Sequence, residues 1–274
     1  MIDIFVDSGA YSLYHAFLET GKFEADYSYV DSPKFWTYVD DYAEFIKKNL
    51  SLITVYVNVD VIFNPEASWK VQKYLEEKHG LHPLPVFHFG EDFKWLKKYM
   101  DGYEYFGISG LGPEINKNMY YEWADRIFNL VCSDSDCMPK WKIHGFAQTS
   151  MELLSRYPFY SVDSTSWVMF GRYGAILIPK SKNGERNFLK TPTVIFCSDR
   201  SPKLKDIDGK HYDRLSFIEQ DYIDEYLDEL GCTIEEAGTN HKIRDLINAN
   251  FYVSLEHQLP EWPWPFQYKR HKLW

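Results

Sequence analysis

The chain has 274 residues, 45% of them hydrophobic and 26% charged, with a formal net charge of −10. That balance belongs to a globular chain rather than a disordered one, and the acidity argues against a general nucleic-acid binder while leaving room for a local basic patch. No apolar run reaches the roughly 18 residues of a membrane span, and four cysteines in a chain this long make no disulfide framework, so a reducing, cytoplasmic setting is expected.

In chain order, Ile2–Val6 reads as a strand. The opening MIDIFVDSGAYS has no basic segment and no long apolar stretch, and so does not read as a signal peptide. Pro33–Asn49 has the spacing of a helix, with Phe35, Tyr38, Val39, Tyr42, Phe45 and Ile46 recurring on one side. Leu52–Val59 is an apolar, β-branched run of the kind that is buried on both faces of a sheet. Pro65–His79 is a predicted helix, Leu84–Phe89 a strand, Asp92–Met100 a helix and Glu104–Ile108 a strand. Asn116–Cys132 is helical, Lys140–Phe146 a strand, Ser150–Arg156 a short helix and Phe159–Val162 the next strand. Beyond Gly174 the pattern weakens. Ala175–Pro179 and Thr193–Phe196 read either as last strands or as a hairpin, and Ser216–Leu230 and Asn240–Asn250 read as helices. The closing stretch Pro260–Phe266 has too many prolines to be helical.

Short apolar strands alternating with helices imply a parallel α/β sheet. Acids, histidines and a serine end nearly every strand: Asp7, Asp60, His88, Ser109, His144 and Asp163. A barrel brings such ends to one mouth, whereas an open sheet gathers only those near its switch point. The expected fold is therefore a (β/α)8 TIM-like barrel forming one domain over residues 1–274, with 180–274 as a divergent, largely helical C-terminal part.

The acids carry the chemistry. Asp7 precedes the small-residue turn Ser8-Gly9-Ala10, and Asp163 precedes Ser164-Thr165-Ser166 and Trp167. Each alone is as readily a turn former or helix cap; their shared place at strand ends favours carboxylate chemistry. His88 and His144 with these acids are a weak fit to a metal site, because no H-x-H pair follows the first strand. Cys132 and Cys137, or Cys197, Cys232 and His241, read as ordinary cysteines and histidine. Gly107–Gly112 lacks the spacing and lysine of a phosphate-binding loop, and its glycines suit a flat ligand lying against the backbone.

Taken together, VDSGAYS, the Asp60 strand end, GISGLGP and the block from His144 to Ala175 resemble the tRNA-guanine transglycosylases. They are closer still to the DNA-modifying branch, the DpdA-like DNA transglycosylases of bacteria and phages. The resemblance covers roughly residues 1–180. It implies a barrel that exchanges guanine for a 7-deazaguanine (preQ0-like) by two displacements through an aspartyl-glycosyl intermediate. By position, Asp163 matches the nucleophile and Asp7 the general acid/base. Ser8 matches a residue lining the base pocket, Asp60 the acid that reads the Watson–Crick edge, and Gly110 and Leu111 the backbone that contacts the base. His88 or Phe89 stands where the tRNA enzymes use a glutamine. Arg172, followed by Lys180, Lys182 and Arg186, falls where nucleic-acid backbone contacts are expected.

The zinc motif of the tRNA enzymes is missing from the sequence, so no zinc or other cofactor is expected. That departure favours DNA over tRNA as the partner, with tRNA as the alternative substrate and a homodimer or accessory protein as further possible partners. A metal-dependent barrel hydrolase using His88 and His144 is the alternative from another enzyme class. A binding barrel without activity is the non-enzymatic one.

Overall fold

A computed structural model describes residues 4–19, 28–110, 115–198, 200–201 and 210–267. The chain divides into two compact units. The first runs to Phe146 and takes in Phe159–Ser161; the second holds Ala147–Pro158 and Val162–Gln267.

The first unit is a mixed α/β structure built on parallel strands. β1 (Phe5–Val6) pairs in parallel with β2 (Val55–Tyr56), Phe5 opposite Val55. Beyond β2, Val57 makes a parallel bridge to Leu84. Next, β3 (Val86–His88) pairs with β4 (Tyr105–Ser109) and β4 with β5 (Lys142–Phe146), again in parallel. β6 (Ser161–Val162) completes a four-stranded sheet in the order β3-β4-β5-β6. Neighbours in space are thus neighbours in sequence. The pairings among the described residues do not close into a ring.

The helices of this unit form where sequence and caps agree. α1 (Ala10–Glu19), a helix beyond those expected from the sequence, follows β1 after the turn Asp7-Ser8-Gly9. α2 (Pro33–Asn49) starts with the Phe35 N–H donating to Ser32 Oγ at 3.2 Å and with Pro33 in its first turn, which is where a missing N–H costs nothing. α3 (Pro65–His79) is capped by Asn64 and stopped by Gly80 at φ +67°. α4 (Phe93–Gly102) and α5 (Lys117–Val131) are capped by Asp92 and Asn116. Phe35, Val39, Ile46, Val59, Val71 and Leu75 make one core between α2, α3 and the end of β2. β3 is buried along its whole length, as expected of a strand covered on both faces.

Interior side chains join strands that are not neighbours. The Phe5 ring on β1 stacks on His144 of β5, with centroids 4.2 Å apart and planes 20° apart, and Phe146 meets both rings edge-on. His144 Nδ1 lies 2.6 Å from Ser161 Oγ, which lies 2.5 Å from the Tyr105 hydroxyl.

The second unit departs from the parallel pattern. Its α6 (Met151–Leu154) and α7 (Ser166–Arg172) precede β7 (Ala175–Ile178), which pairs antiparallel with β10 (Thr193–Phe196). Between them β8 (Lys180–Lys182) and β9 (Glu185–Asn187) form a hairpin. Its turn, Asn183-Gly184, has both residues at positive φ, the conformation that two-residue hairpins need. α8 (Phe217–Glu229) and α9 (Ile234–Thr239) open with capping boxes, Ser216 with Glu219 and Thr233 with Glu236. α10 (His241–Gln258) extends beyond the predicted end at Asn250. Its buried Asn248 stands in for a missing strand neighbour: Oδ1 accepts from Leu177 N–H at 2.8 Å and Nδ2 donates to the Ala175 carbonyl at 3.1 Å. Arg244, also buried, donates to the carbonyls of Gly171 and Ala237 and so ties down the ends of α7 and α9. No helix among the described residues is long and apolar enough to cross a membrane.

Candidate active site

In parallel strands all C-terminal ends share one edge, and the polar groups of the first unit gather along that edge. Asp7 follows β1 and is exposed, while Ser8 is buried. The turn after them is shaped by α2: the Tyr38 hydroxyl donates to the Ser8 carbonyl at 2.6 Å. Gly9 has φ +70°, and a Cβ there would lie 2.8 Å from that same hydroxyl. Only glycine meets both conditions. Burial, with the charge of Asp7 added, raises the Tyr38 pKa above its ordinary value, which keeps the hydroxyl a donor.

Asp60 stands two residues beyond Asn58 in a loop fastened to α3. Asn58 Nδ2 donates to the Ser68 carbonyl at 3.0 Å, and Ser68 Oγ accepts from the Val61 N–H at 2.8 Å. Asp60 is 8% exposed and His88, at the end of β3, 7%. His88 Nε2 and Asp60 Oδ2 are 2.6 Å apart, a charge-assisted distance. Burial works against a charged imidazole, but the Asp60 carboxylate outweighs it, Glu91 adds to the effect, and the His88 pKa is raised. Glu91 accepts the His88 backbone N–H at Oε2, 3.1 Å away. Burial pushes its own pKa up to about 7, against the pull of His88.

Phe89 continues the ladder, its N–H donating to the Ser109 carbonyl at 2.8 Å, and its ring lies 5.6 Å from that of Trp123. Gly110 is required by packing: a Cβ would come within 2.8 Å of both the Trp123 and Tyr120 rings of α5. Leu111 lies outside the described residues.

Asp163 belongs to the second unit and is exposed. Its Oδ1 accepts from the Ala147 N–H at 2.8 Å, and its carbonyl accepts from the Gln148 N–H at 3.1 Å. Ala147 adopts φ +57° to make the first contact, a conformation uncommon for a residue with a Cβ. After Asp163, Ser164 Oγ accepts from the Ser166 N–H at 3.0 Å and so shapes the start of α7.

No family model, curated protein or solved structure matches this chain.

The structure thus brings Asp60 and His88 into contact and sets Asp7 and Ser8 in one turn beside them in strand order. Arg172 is exposed in the last turn of α7. Lys180 and Lys182 are exposed on β8, with Lys180 Nζ donating to Thr193 Oγ1 at 2.7 Å. Arg186 is committed elsewhere: its guanidinium makes a fork to Glu229 at 2.9 and 2.6 Å and packs on Tyr222 and Tyr226. The basic tail segment Lys269–Lys272 lies outside the described residues. All four cysteines are free, and among the described residues no group of three or more His, Cys, Asp or Glu is placed to hold a metal. Sequence reasoning overlooked Tyr38 and Glu91. Tyr38 has the spacing of one more residue on an apolar helix face, and Glu91, in Gly90-Glu91-Asp92, has the look of a solvated loop acid.

Proposed function

We propose that this chain is a DNA-guanine transglycosylase, exchanging guanine for a 7-deazaguanine on a (β/α) barrel. The observation that carries the reading is the placement of three acids along consecutively ordered strands: Asp7 directly after β1, Asp60 in the loop beyond β2, and Asp163 directly after β6. Consecutive order supports a barrel over a doubly wound sheet, whose order reverses at a switch point. The Phe5–His144 stack supports it too. In a flat sheet β1 and β5 would lie four strand spacings apart, roughly 19 Å, whereas their rings are 4.2 Å apart.

The roles follow from exposure and partners. Asp163 attacks the sugar's anomeric carbon as the bond to guanine breaks, and the leaving base takes that bond's electron pair. The incoming base then displaces the aspartate, so configuration is retained. The Ala147 N–H on Oδ1 orients the carboxylate for this attack. Asp7 passes the proton between the ring nitrogens of the departing and arriving bases. Asp60, an acceptor-only group, reads adjacent N–H donors on the base edge, and His88 holds it in place. The histidines of a metal-hydrolase reading are engaged otherwise, His88 with Asp60 and His144 with Ser161. The exposed cations Arg172, Lys180 and Lys182 supply backbone contacts, and the target guanine is reached unpaired or flipped out.

The test is incorporation of a radiolabelled 7-deazaguanine into DNA and, in parallel, into tRNA. Label in DNA is the expected result. Label in tRNA alone moves the substrate to the alternative, and label in neither removes the base-exchange reading.

A further inference from the structure

Glu91 closes a turn on His88 from both ends. Its Oε2 accepts the His88 N–H at 3.1 Å, and its own N–H donates to the His88 carbonyl at 3.2 Å. The turn sets the imidazole against Asp60 at 2.6 Å. Glu91 Oε1 is buried and finds no hydrogen-bond partner among the described residues. An acid kept in that state is costly, and nothing in the loop's own geometry requires its second oxygen.

We infer that Glu91 is a positioning residue for base recognition: it fixes the His88 turn and keeps an imidazolium against Asp60, so that Asp60 meets the base as an acceptor only. The inference rests on the reading of Asp60 as the base-edge acid. The Asp60 carboxylate already favours the charged imidazole against the cost of burial. Glu91 beside it adds to that preference, the smallest of the effects that raise the His88 pKa. The groups that face Glu91 are His88, Asp60, Glu66 at the start of α3 and Tyr99 of α4. Lys94, at 3.9 Å from Glu66, is the nearby cation and is itself exposed. Burial and this acidic company bring Glu91 to about 7, so the cluster gains a negative charge as pH rises through neutrality.

The role predicts an effect on His88 that mere support of the loop would not produce. The experiment is a long-range ¹H–¹⁵N NMR titration of His88 in the full chain, wild type and Glu91→Gln, together with calorimetric titration of 7-deazaguanine from pH 5.5 to 8.5. In Glu91→Gln, His88 should titrate roughly one pH unit lower, and affinity for the base should fall by about tenfold at pH 7.5, the equivalent of one such unit. Glu91→Asp, which keeps the charge, should restore most of the His88 titration and guards against a folding defect in the amide variant. His88 titrating at an unchanged pH in a folded Glu91→Gln chain overturns the inference. A wild-type chain that binds no 7-deazaguanine at any pH overturns the base-reading role of Asp60, and the His88 titration tells that failure apart from failure of the Glu91 role.

Discussion

His144 on β5 stacks face to face on Phe5 of β1, although three strands lie between them in the order of the sheet. Contact across that interval requires the strands to curl, and the paired rings hold the curl from inside. A double-mutant cycle with Phe5→Leu and His144→Gln should return a coupling of about 1 kcal/mol in urea unfolding. Additive losses would mean that the two rings are merely adjacent.

Asp60 and His88 are both nearly sealed from solvent, so removing one strands the other. Asp60→Ala should cost about 3 kcal/mol of stability, read from the unfolding midpoint. The double replacement Asp60→Leu with His88→Phe should cost clearly less than Asp60→Ala. Equal losses would show that volume and not charge pairing sets the penalty.

The same cluster gives stability a pH dependence of known sign. Glu91 has its pKa raised from 4.5 to about 7 in the fold, so its contribution is whole below about 4.5 and is lost as pH rises through about 7. His88, also raised, acts in the same direction: its contribution is present below its ordinary value of 6.5 and is lost above the elevated one. The urea midpoint should therefore fall between pH 5 and pH 8.5, and less steeply in Glu91→Gln. A wild-type midpoint that rises over that interval would contradict the assignment.

Gly9 combines a positive φ with the Tyr38 hydroxyl at 2.8 Å from its missing Cβ. Gly9→Ala should cost about 1–2 kcal/mol from backbone strain and displacement of that hydroxyl. Adding Tyr38→Phe should recover only the steric part, because the conformational part stays. Full recovery would place the whole cost in the contact.

Much of the first unit is legible in the sequence, for physical reasons. α2 to α5 combine helical spacing with Ser, Asn or Asp caps, and β2 to β5 are apolar runs ending in polar residues. α1 carries a one-sided pattern, Ala10, Leu13, Tyr14 and Phe17 facing the core at helical spacing, but it is hidden because it opens on the glycine turn Ser8-Gly9, which offers no side-chain cap and reads as a loop. α7 has no cap bond either. For β7 and β10 the sequence leaves last strands and a hairpin both open, because Ala175–Ile178 is buried throughout and such a run carries no mark of strand direction; the antiparallel pairing takes the second. At the site, Asp60 and His88 could be picked out singly, but their bond depends on the register of loops on two strands. Arg186 resembled a phosphate contact because its partner, Glu229, lies far along the chain on another element.

Asp163 should form a covalent bond to the sugar during base exchange. The most direct measurement of that bond is denaturing gel electrophoresis and intact mass of the chain incubated with guanine-containing DNA. The wild type should yield a DNA-linked species that disappears on adding a 7-deazaguanine, and Asp163→Asn should yield none, with exchange reduced by at least about 10³-fold. An Asp163→Asn chain that still forms the adduct, or exchanges base at a rate near wild type, would contradict it.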